Sequence, residues 1–187
     1  GDDLEYDATT YKFTYTTEDA TKQIVKRASV QEFGGDLLIK VAKEVSGSIE
    51  PLDTDEYNAF SAYMNQIKFA GTFLSIVSQD ADLINITLQV WYDAKILNST
   101  GQLLRDTSVK PVEVAIEQYL AALPWDGIYK NTALIDAVQQ AEGVTDVILG
   151  TVEAKAHNAV SYSGVTRVYQ TVSGHIQLNT LSATYHV

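Results

Sequence analysis

Residues 110–149, KPVEVAIEQYLAALPWDGIYKNTALIDAVQQAEGVTDVIL, predict two helices in series that lead into one strand. Pro111 suits a first helical position, because its missing N–H would have no partner there and its φ is already helical. The apolar residues that follow recur at the spacing of one helical face: Val112, Ile116, Tyr119, Leu120 and Leu123. Pro124 is expected to end this helix.

A turn and a second helix follow. Trp125-Asp126-Gly127 predicts a turn, because Asp tolerates tight backbone geometry and Gly accepts a positive φ. Asn131 or Thr132 is expected to cap the second helix, and Gly143 to end it. A strand over 144–152 is then expected. Its two predicted faces carry Thr145, Val147, Leu149 and Thr151 on one side and Val144, Ile148 and Val152 on the other.

Upstream, the first half of the chain predicts a similar succession of strands and helices. After a loose acidic arm over residues 1–10, a short strand is expected around Tyr11 to Thr16, and Thr17 is expected to cap a helix that runs to about Glu32. Gly34-Gly35 interrupts that helix. Residues 36–45 then alternate apolar residues with Lys40 and Lys43, which predicts a half-buried strand, and 46–51 is expected to be a loop.

The clearest helix signal of the chain surrounds residues 53–71. Asp53 and Glu56 have the spacing of a capping box, and Leu52 is placed to pack on Tyr57. The expected apolar stripe of this helix comprises Tyr57, Phe60, Met64 and Ile67. A strand buried on both faces is expected over 72–78. The next strand, 83–92, alternates strictly between apolar and polar residues, as an antiparallel strand with one wet face does.

Turn dipeptides divide the C-terminal part of the chain. Ser163-Gly164 and Ser173-Gly174 separate β-rich runs, which predicts a polar β-meander. The expected fold class is therefore α+β, with two mixed α/β lobes with antiparallel sheets and a C-terminal β-meander. The expected organisation is an N-terminal arm or strand at 1–17, a first α+β lobe at 18–82, a second at 83–152 and the meander at 153–187.

The helix, turn and helix of the opening stretch resemble the C-terminal part of the baseplate J-like family. The family's helix ends in a tyrosine-leucine and leucine-proline run, and its next helix ends in a glycine-valine and aspartate-valine pattern. This chain has Tyr119, Leu120, Leu123 and Pro124 at the first place and Gly143, Val144, Asp146 and Val147 at the second. The segments EFGGDLLIKVAKEVSG and LINITLQVWYD are similar to the family's middle section, so the resemblance spans about residues 28–151.

This resemblance implies a structural subunit of a contractile-tail baseplate, from a phage or a prophage. Its implied partners are other baseplate or tail proteins and copies of itself in a ring. Its implied location is the baseplate of the virion tail, assembled in the bacterial host cytoplasm. Two departures from the family are visible: the N-terminal portion usual in longer members is absent, and 153–187 does not resemble the family. The polar start of the chain predicts that it belongs to a longer protein.

The composition of the chain excludes several kinds of site and partner. The 187 residues carry a formal net charge of −11 and no Cys. The missing thiols exclude disulfides, zinc–thiolate sites and thiol catalysis, and the negative field repels nucleic acid and anionic lipid. No apolar run has the roughly 18 residues of a membrane-spanning helix. We therefore expect no nucleic-acid partner and no membrane insertion.

The sequence predicts neither an enzyme nor a cofactor or metal site. It contains no phosphate-binding glycine loop and no nucleophile elbow, and His157, His175 and His186 lack the spacing of metal ligands. Asp53 and Glu56 are explained by the helix cap. A small hydrolase remains a third reading, which would need two carboxylates, or a histidine and a carboxylate, to converge in a pocket.

Aromatic residues are the candidate interface residues. Trp91 falls on the polar face of its strand and Trp125 lies in a turn, where an amphipathic ring suits a protein interface. The full predicted interface set is Trp91, Trp125, Tyr129, Tyr162 and Tyr169. The alternative function is a binding module, in which the Tyr-rich C-terminal β surface presents itself to a carbohydrate or peptide.

Overall fold

A computed structural model describes residues 4–15 and 23–187 of the chain. It confirms the α+β fold class. The strands are β1 (Leu4–Asp7), β2 (Lys12–Tyr15), β3 (Arg27–Phe33), β4 (Asp36–Val45), β5 (Ser48–Glu50), β6 (Leu74–Val77), β7 (Asp82–Tyr92), β8 (Ile128–Lys130), β9 (Val144–Lys155), β10 (Ser163–Gly164), β11 (Val168–Gln170) and β12 (Ile176–His186). The helices are α1 (Thr54–Ile67), α2 (Pro111–Ala121) and α3 (Asn131–Gln139).

The larger sheet has the strand order β10-β9-β7-β12, and we call the unit built on it, residues 82–186, the second lobe. The predicted alternation of β7 is confirmed, because Ile84, Ile86, Leu88 and Val90 are completely or almost completely buried. The predicted antiparallel pairing of β7 is confirmed on one of its two edges only. β7 pairs antiparallel with β9 and parallel with β12.

Two helices cover the apolar face of this sheet. Pro111 begins α2 as predicted, and the stripe that contains Val112, Ile116 and Leu120 is buried against the sheet. The predicted cap of α3 is wrong. Lys130 holds the N-cap position without a side-chain cap bond, while the amide Nδ2 of Asn131 donates to the carbonyl of Val165 at 3.1 Å.

A β-bulge rearranges the predicted faces of β9. Ile86 pairs with Val152 and Leu88 with Leu149, so two residues, Gly150 and Thr151, lie opposite Thr87. An extra residue in one strand shifts every later side chain to the other face of the sheet. Val147 and Val152, which we expected on opposite faces, are therefore both buried in the same core.

The predicted C-terminal β-meander does not form. β10 pairs with β9, β11 pairs with β8, and β12 pairs with β7. The three C-terminal strands are thus distributed over strands made earlier in the chain, since each finds an open edge beside a packed helix or loop. Residues 153–187 complete the second lobe instead of forming a unit beside it.

The first lobe consists of β3, β4, β5, β6 and α1. β3 and β4 form an antiparallel hairpin around Gly34 and Gly35, whose φ angles are +63° and +90°. The predicted helix that ends at Glu32 is therefore wrong over residues 23–32, where the chain is extended. Its beginning at 17–22 lies outside the described residues. The predicted loop at 46–51 contains the short strand β5.

α1 has the predicted capping box. The carboxylate of Asp53 accepts from the Glu56 N–H at 2.9 Å, and the Glu56 carboxylate accepts from the Asp53 N–H at 2.8 Å. The inner stripe of α1 packs on Ile39 and Val41 of β4. Ile67, expected in that stripe, is 53% exposed. The strand expected at 72–78 is shorter, and none of its residues is fully buried.

The loose arm expected over residues 1–10 contains the strand β1 in its described part, residues 4–10. β1 pairs antiparallel with β2 in a two-stranded sheet. In the described part of the chain, no helix is long and apolar enough to cross a membrane.

Candidate functional site

A buried ion pair connects the two lobes. Lys40 lies on the face of β4 opposite α1, and its side chain is only 4% exposed. Its ammonium Nζ donates to Oδ1 of Asp126 at 2.6 Å and to the backbone carbonyl of Thr171 at 2.5 Å. The prediction that this side of β4 faces solvent is therefore wrong for Lys40, because the second lobe covers it.

Asp126 is held on several sides. Its second carboxylate oxygen accepts from Ser29 Oγ at 3.0 Å and from Gln31 Nε2 at 2.6 Å. Gln170 Nε2 donates to its backbone carbonyl and to Oδ1, both at 3.0 Å. The predicted turn at 125–127 exists, but the positive φ of +60° belongs to Asp126 and not to Gly127. This backbone angle aims the carboxylate at β3 and β4.

A second buried carboxylate fixes the segment before β12. Asp82 is completely buried, and its Oδ2 accepts from the Val172 N–H at 2.6 Å and from the Tyr169 hydroxyl at 2.9 Å. Its Oδ1 accepts from the Ser173 N–H at 3.2 Å. A carboxylate that accepts several such bonds stays satisfied in a buried place. Asp82 therefore positions residues 169–173.

Ser173 and His175 lie next to Asp82, but they do not form a nucleophile relay. The hydroxyl of Ser173 donates to the backbone carbonyl of His175 at 2.8 Å and accepts from the Asp82 N–H at 3.2 Å. The imidazole of His175 stacks on Trp125, with ring centroids 5.5 Å apart. Burial lowers the pKa of His175, and the nearby carboxylates of Asp82 and Asp80 oppose that change. The contacts fit a packing role.

The predicted interface tryptophans have partners within the chain. Trp91 is half-buried on the polar face of β7 and stacks on His186 of β12, with centroids 4.9 Å apart. Trp125 is also half-buried, between the turn and His175. Gly174 lies so close to the ring of Trp125 that a Cβ at this position would be 2.6 Å from Cζ2 of the ring. Trp125 therefore packs within the second lobe, against the segment that leads into β12.

The predicted interface tyrosines differ in burial. Tyr129 is completely buried and packs edge-on against Tyr119, so its place in the predicted interface set is wrong for this chain. Burial raises its pKa above the usual range. Tyr169 is half-buried, with its hydroxyl on Asp82. Tyr162 is half-buried, and Lys155 Nζ lies 5.3 Å from its ring centroid.

The largest exposed apolar side chains of the first lobe lie in one short segment. We call this group the α1 patch: Tyr63, Ile67, Phe69 and Phe73. Tyr63 and Ile67 are one turn apart on α1 and are 54% and 53% exposed, while Phe69 and Phe73 are 87% and 68% exposed. This patch was not predicted, because Ile67 and Phe73 were expected in the core. The signal available was the excess of apolar residues over those that one face of α1 can bury.

A cleft of about 650 Å³ lies between α2, α3 and the loop before α2. Arg105 and Glu142 form a 2.7 Å ion pair at its rim. Hydrogen bonds from Ser108 to Asp106 lower the pKa of this carboxyl, so Asp106 is ionised at neutral pH.

Within the described residues, no group of three or more His, Asp or Glu side chains is placed to hold a metal ion. No family model matches the chain, and no curated protein matches it at a significant level.

Proposed function

We propose that the chain is a structural subunit of a contractile-tail baseplate, of phage or prophage origin, that works through protein–protein contacts. The resemblance over residues 28–151 supports the baseplate reading. The observation that carries the assembly reading is the α1 patch. An aromatic side chain offers roughly 150–250 Å² of contact area, so Phe69 and Phe73 alone expose on the order of 300 Å².

The packing of the first lobe supports this proposal. Among the described residues, its core cluster contains only Ile39, Val41 and Leu52 as fully buried apolar side chains, and no residue of α1 is fully buried. Exposed apolar area of a few hundred Å² is on the scale of the largest apolar patch of a typical monomer, and such patches are often functional. A neighbouring subunit that covers the α1 patch would complete this thin core. The partners are other baseplate or tail proteins and copies of this chain in a ring, and the site of action is the virion tail.

The function proposed is mechanical. Ring proteins of a contracting machine exchange one set of interfaces for another, and such transitions depend on rigid units that move as bodies. The Lys40–Asp126 contact and the segment held by Asp82 join the two lobes through polar bonds of defined geometry. These bonds allow the subunit to transmit force from one lobe to the other without unfolding where the two lobes meet.

The test is the solution mass over a concentration series, measured by light scattering, together with co-purification of the proteins encoded beside this chain. We expect a mass that rises with concentration, or a stable complex with a tail protein. The double variant F69S/F73S is expected to lose that association, while V160S, at a valine that is fully exposed, retains it. Circular dichroism checks that both variants fold.

A strict monomer that binds none of the neighbouring tail proteins would overturn the proposal. Glycan or peptide binding that is lost on substitution of Tyr162 would instead favour the alternative of a binding module.

A further inference from the structure

The outer edge of β12 is open. β12 is the last strand in the order β10-β9-β7-β12, and in the described part of the chain only β7 pairs with it. An edge strand directs alternate N–H and C=O groups away from its sheet, where they can pair with another strand. β12 is 11 residues long, so the open edge is long enough for a ladder of several hydrogen bonds.

This edge lacks charge and proline, two of the features that usually prevent strand pairing. The sequence of β12, IQLNTLSATYH, contains no charged residue and no Pro, and its pairing with β7 is irregular only around Asn179. The opposite edge of the same sheet is β10, a strand of two residues. The edge strand β3 of the first lobe carries Arg27 and Glu32. Short length, charge and β-bulges are usual protections of an edge, and of these β12 has only the irregularity at Asn179.

An apolar groove accompanies the first part of this edge. It has a volume of about 240 Å³ and lies between α2 and β12. Leu120 and Ala121 of α2 and Ile176 and Leu178 of β12 supply its apolar lining. A strand that adds to an edge directs every second side chain to the same face of the sheet. Side chains of an added strand would therefore enter this groove while its backbone pairs with β12.

The groove is acidic at its rim. Glu117 of α2 lines it, is exposed, and has no ion-pair partner among the residues that the structure describes. Glu113, one turn earlier on the same helix, is ion-paired with Lys110 at 2.7 Å. It is close enough to Tyr185, near the other end of β12, to add to the effect of burial, and the pKa of Tyr185 is raised to about 12. With a chain net charge of −11, this side of α2 favours a basic partner.

We propose that the open edge of β12, together with the groove beside α2, binds an extended segment of a partner protein that alternates small apolar side chains with a basic residue facing Glu117. The proposal rests on the proposed assembly function and names the chemistry of one of its partners. Main-chain pairing provides most of the affinity, and the groove and Glu117 provide the selection.

The test uses two synthetic peptides and the whole chain. One is a blocked seven-residue peptide of alternating valine and threonine with one central lysine, and the other has glutamate in place of lysine. Amide NMR spectra of the labelled protein report the binding site. We expect the lysine peptide to shift the amide signals of β12 and α2, and to bind about fivefold more tightly than the glutamate peptide, the effect of one exposed charge pair.

Three variants test which residues are responsible for peptide binding and for the preference between the two peptides. Glu117→Lys is expected to reverse the preference between the two peptides, while Glu50→Lys, an exposed charge reversal on β5 of the first lobe, leaves it unchanged. Ala121→Trp fills the groove and is expected to abolish binding of both peptides. A preference that Glu117→Lys leaves unchanged would overturn the assignment of the basic position.

Two further outcomes separate this proposal from the proposed function. If neither peptide shifts the β12 signals while assembly through Phe69 and Phe73 is observed, the edge proposal fails and the assembly function stands. If the peptides bind but no assembly occurs, the assembly function fails. Protection of β12 amides that rises with protein concentration, without peptide, would mean that a second copy occupies the edge, and this would overturn the basic partner.

Discussion

The ammonium group of Lys40 lies 2.6 Å from the carboxylate of Asp126, and both side chains are more than nine-tenths buried. The two residues are 86 positions apart in the chain and belong to different lobes. Their contact, with the bonds from Ser29 and Gln31 to Asp126 and from Lys40 to Thr171, is the main polar connection between the first and second lobes.

Removal of one partner of this pair is expected to be strongly destabilising. Lys40→Met leaves the buried carboxylate of Asp126 without its cation, which should lower the free energy of unfolding by about 3–5 kcal/mol. Arg27→Met is the matched control, because its 3.5 Å contact with Glu44 joins side chains that are 48% and 39% exposed. Such an exposed pair contributes roughly 0–1 kcal/mol. Urea unfolding measures both, and equal losses would contradict the role given to Lys40.

The double variant K40M/D126N tests whether the pair acts as a unit. Neither charge is then left alone, so the loss should be smaller than the sum of the two single losses by about 1–3 kcal/mol. Asn suits this position because it tolerates the positive φ of Asp126 better than most residues. Additive losses would show that the two side chains act independently.

Asp82→Asn should loosen the segment before β12. Val172 N–H now donates to Oδ2 of Asp82 and Ser173 N–H to Oδ1, so the new NH₂ group replaces one of these two acceptors and faces an N–H donor. We expect a loss of about 3 kcal/mol in unfolding free energy and faster hydrogen exchange at these two amides. Asp80→Asn, with a side chain 61% exposed, should change stability by less than about 0.5 kcal/mol. Unchanged hydrogen exchange at the amides of Val172 and Ser173 in Asp82→Asn would show that Asp82 does not position this segment.

His175 should make stability depend on mildly acidic pH. Burial lowers its pKa in the folded chain, so below about pH 6.5 the unfolded chain binds more protons than the folded one. The stability contributed by neutral His175 is therefore present above that pH and is lost as the pH falls through its folded pKa. We expect the melting temperature to fall between pH 7.5 and 5.5.

The variant His175→Phe should show a smaller fall, because Phe keeps a ring against Trp125 and removes the titrating group. His157→Gln, at a partly exposed histidine 3.5 Å from Asp80, should retain the fall of the original chain. The same pH dependence in His175→Phe as in the original chain would assign the fall to other groups.

Gly101→Ala should be costly for two reasons. The residue has a φ of +76°, and an added Cβ would lie 2.1 Å from Cζ of Tyr185, which packs edge-on against Tyr92. A left-handed backbone costs about 1–2 kcal/mol and overpacking adds about 1–3, so we expect a loss of about 3 kcal/mol. Gly47→Ala shares the positive φ of +86° with open space around it. Gly47→Ala should lower the free energy of unfolding by only about 1 kcal/mol. Thermal unfolding measures both variants, and equal losses would show that the added Cβ at residue 101 does not clash with Tyr185.

Local signals predicted the local features. The capping box of Asp53 and Glu56 and the alternation of β7 depend on residues within a few positions of each other, so the sequence was sufficient. The helix predicted up to Glu32 was wrong. Ile24, Val25 and Ala28 have helical spacing, but the pairing of β3 with β4 determines the conformation of this segment. Gly34-Gly35, a typical two-residue hairpin turn, was the signal for β3.

Features that depend on distant residues were not predictable in this way. Lys40 has the pattern of a solvent-facing lysine, and only the approach of Asp126 makes it a buried partner. The bulge in β9 had a local signal in Gly150, since glycine inside a strand often marks one. The open edge of β12 required the strand order, because parallel pairing of β12 with β7 leaves no trace in the sequence of either strand.

The parallel pairing of β7 with β12 also has a consequence during synthesis. Roughly 90 residues separate the two strands, and at 5–20 residues per second the ribosome makes β12 roughly 5–20 s after β7. For that time the nascent chain carries β7 with one edge unpaired and α2 without the β-strand against which it later packs. The growing chain is therefore a natural client for chaperones that bind apolar extended segments, and its yield in a producing cell should depend on them.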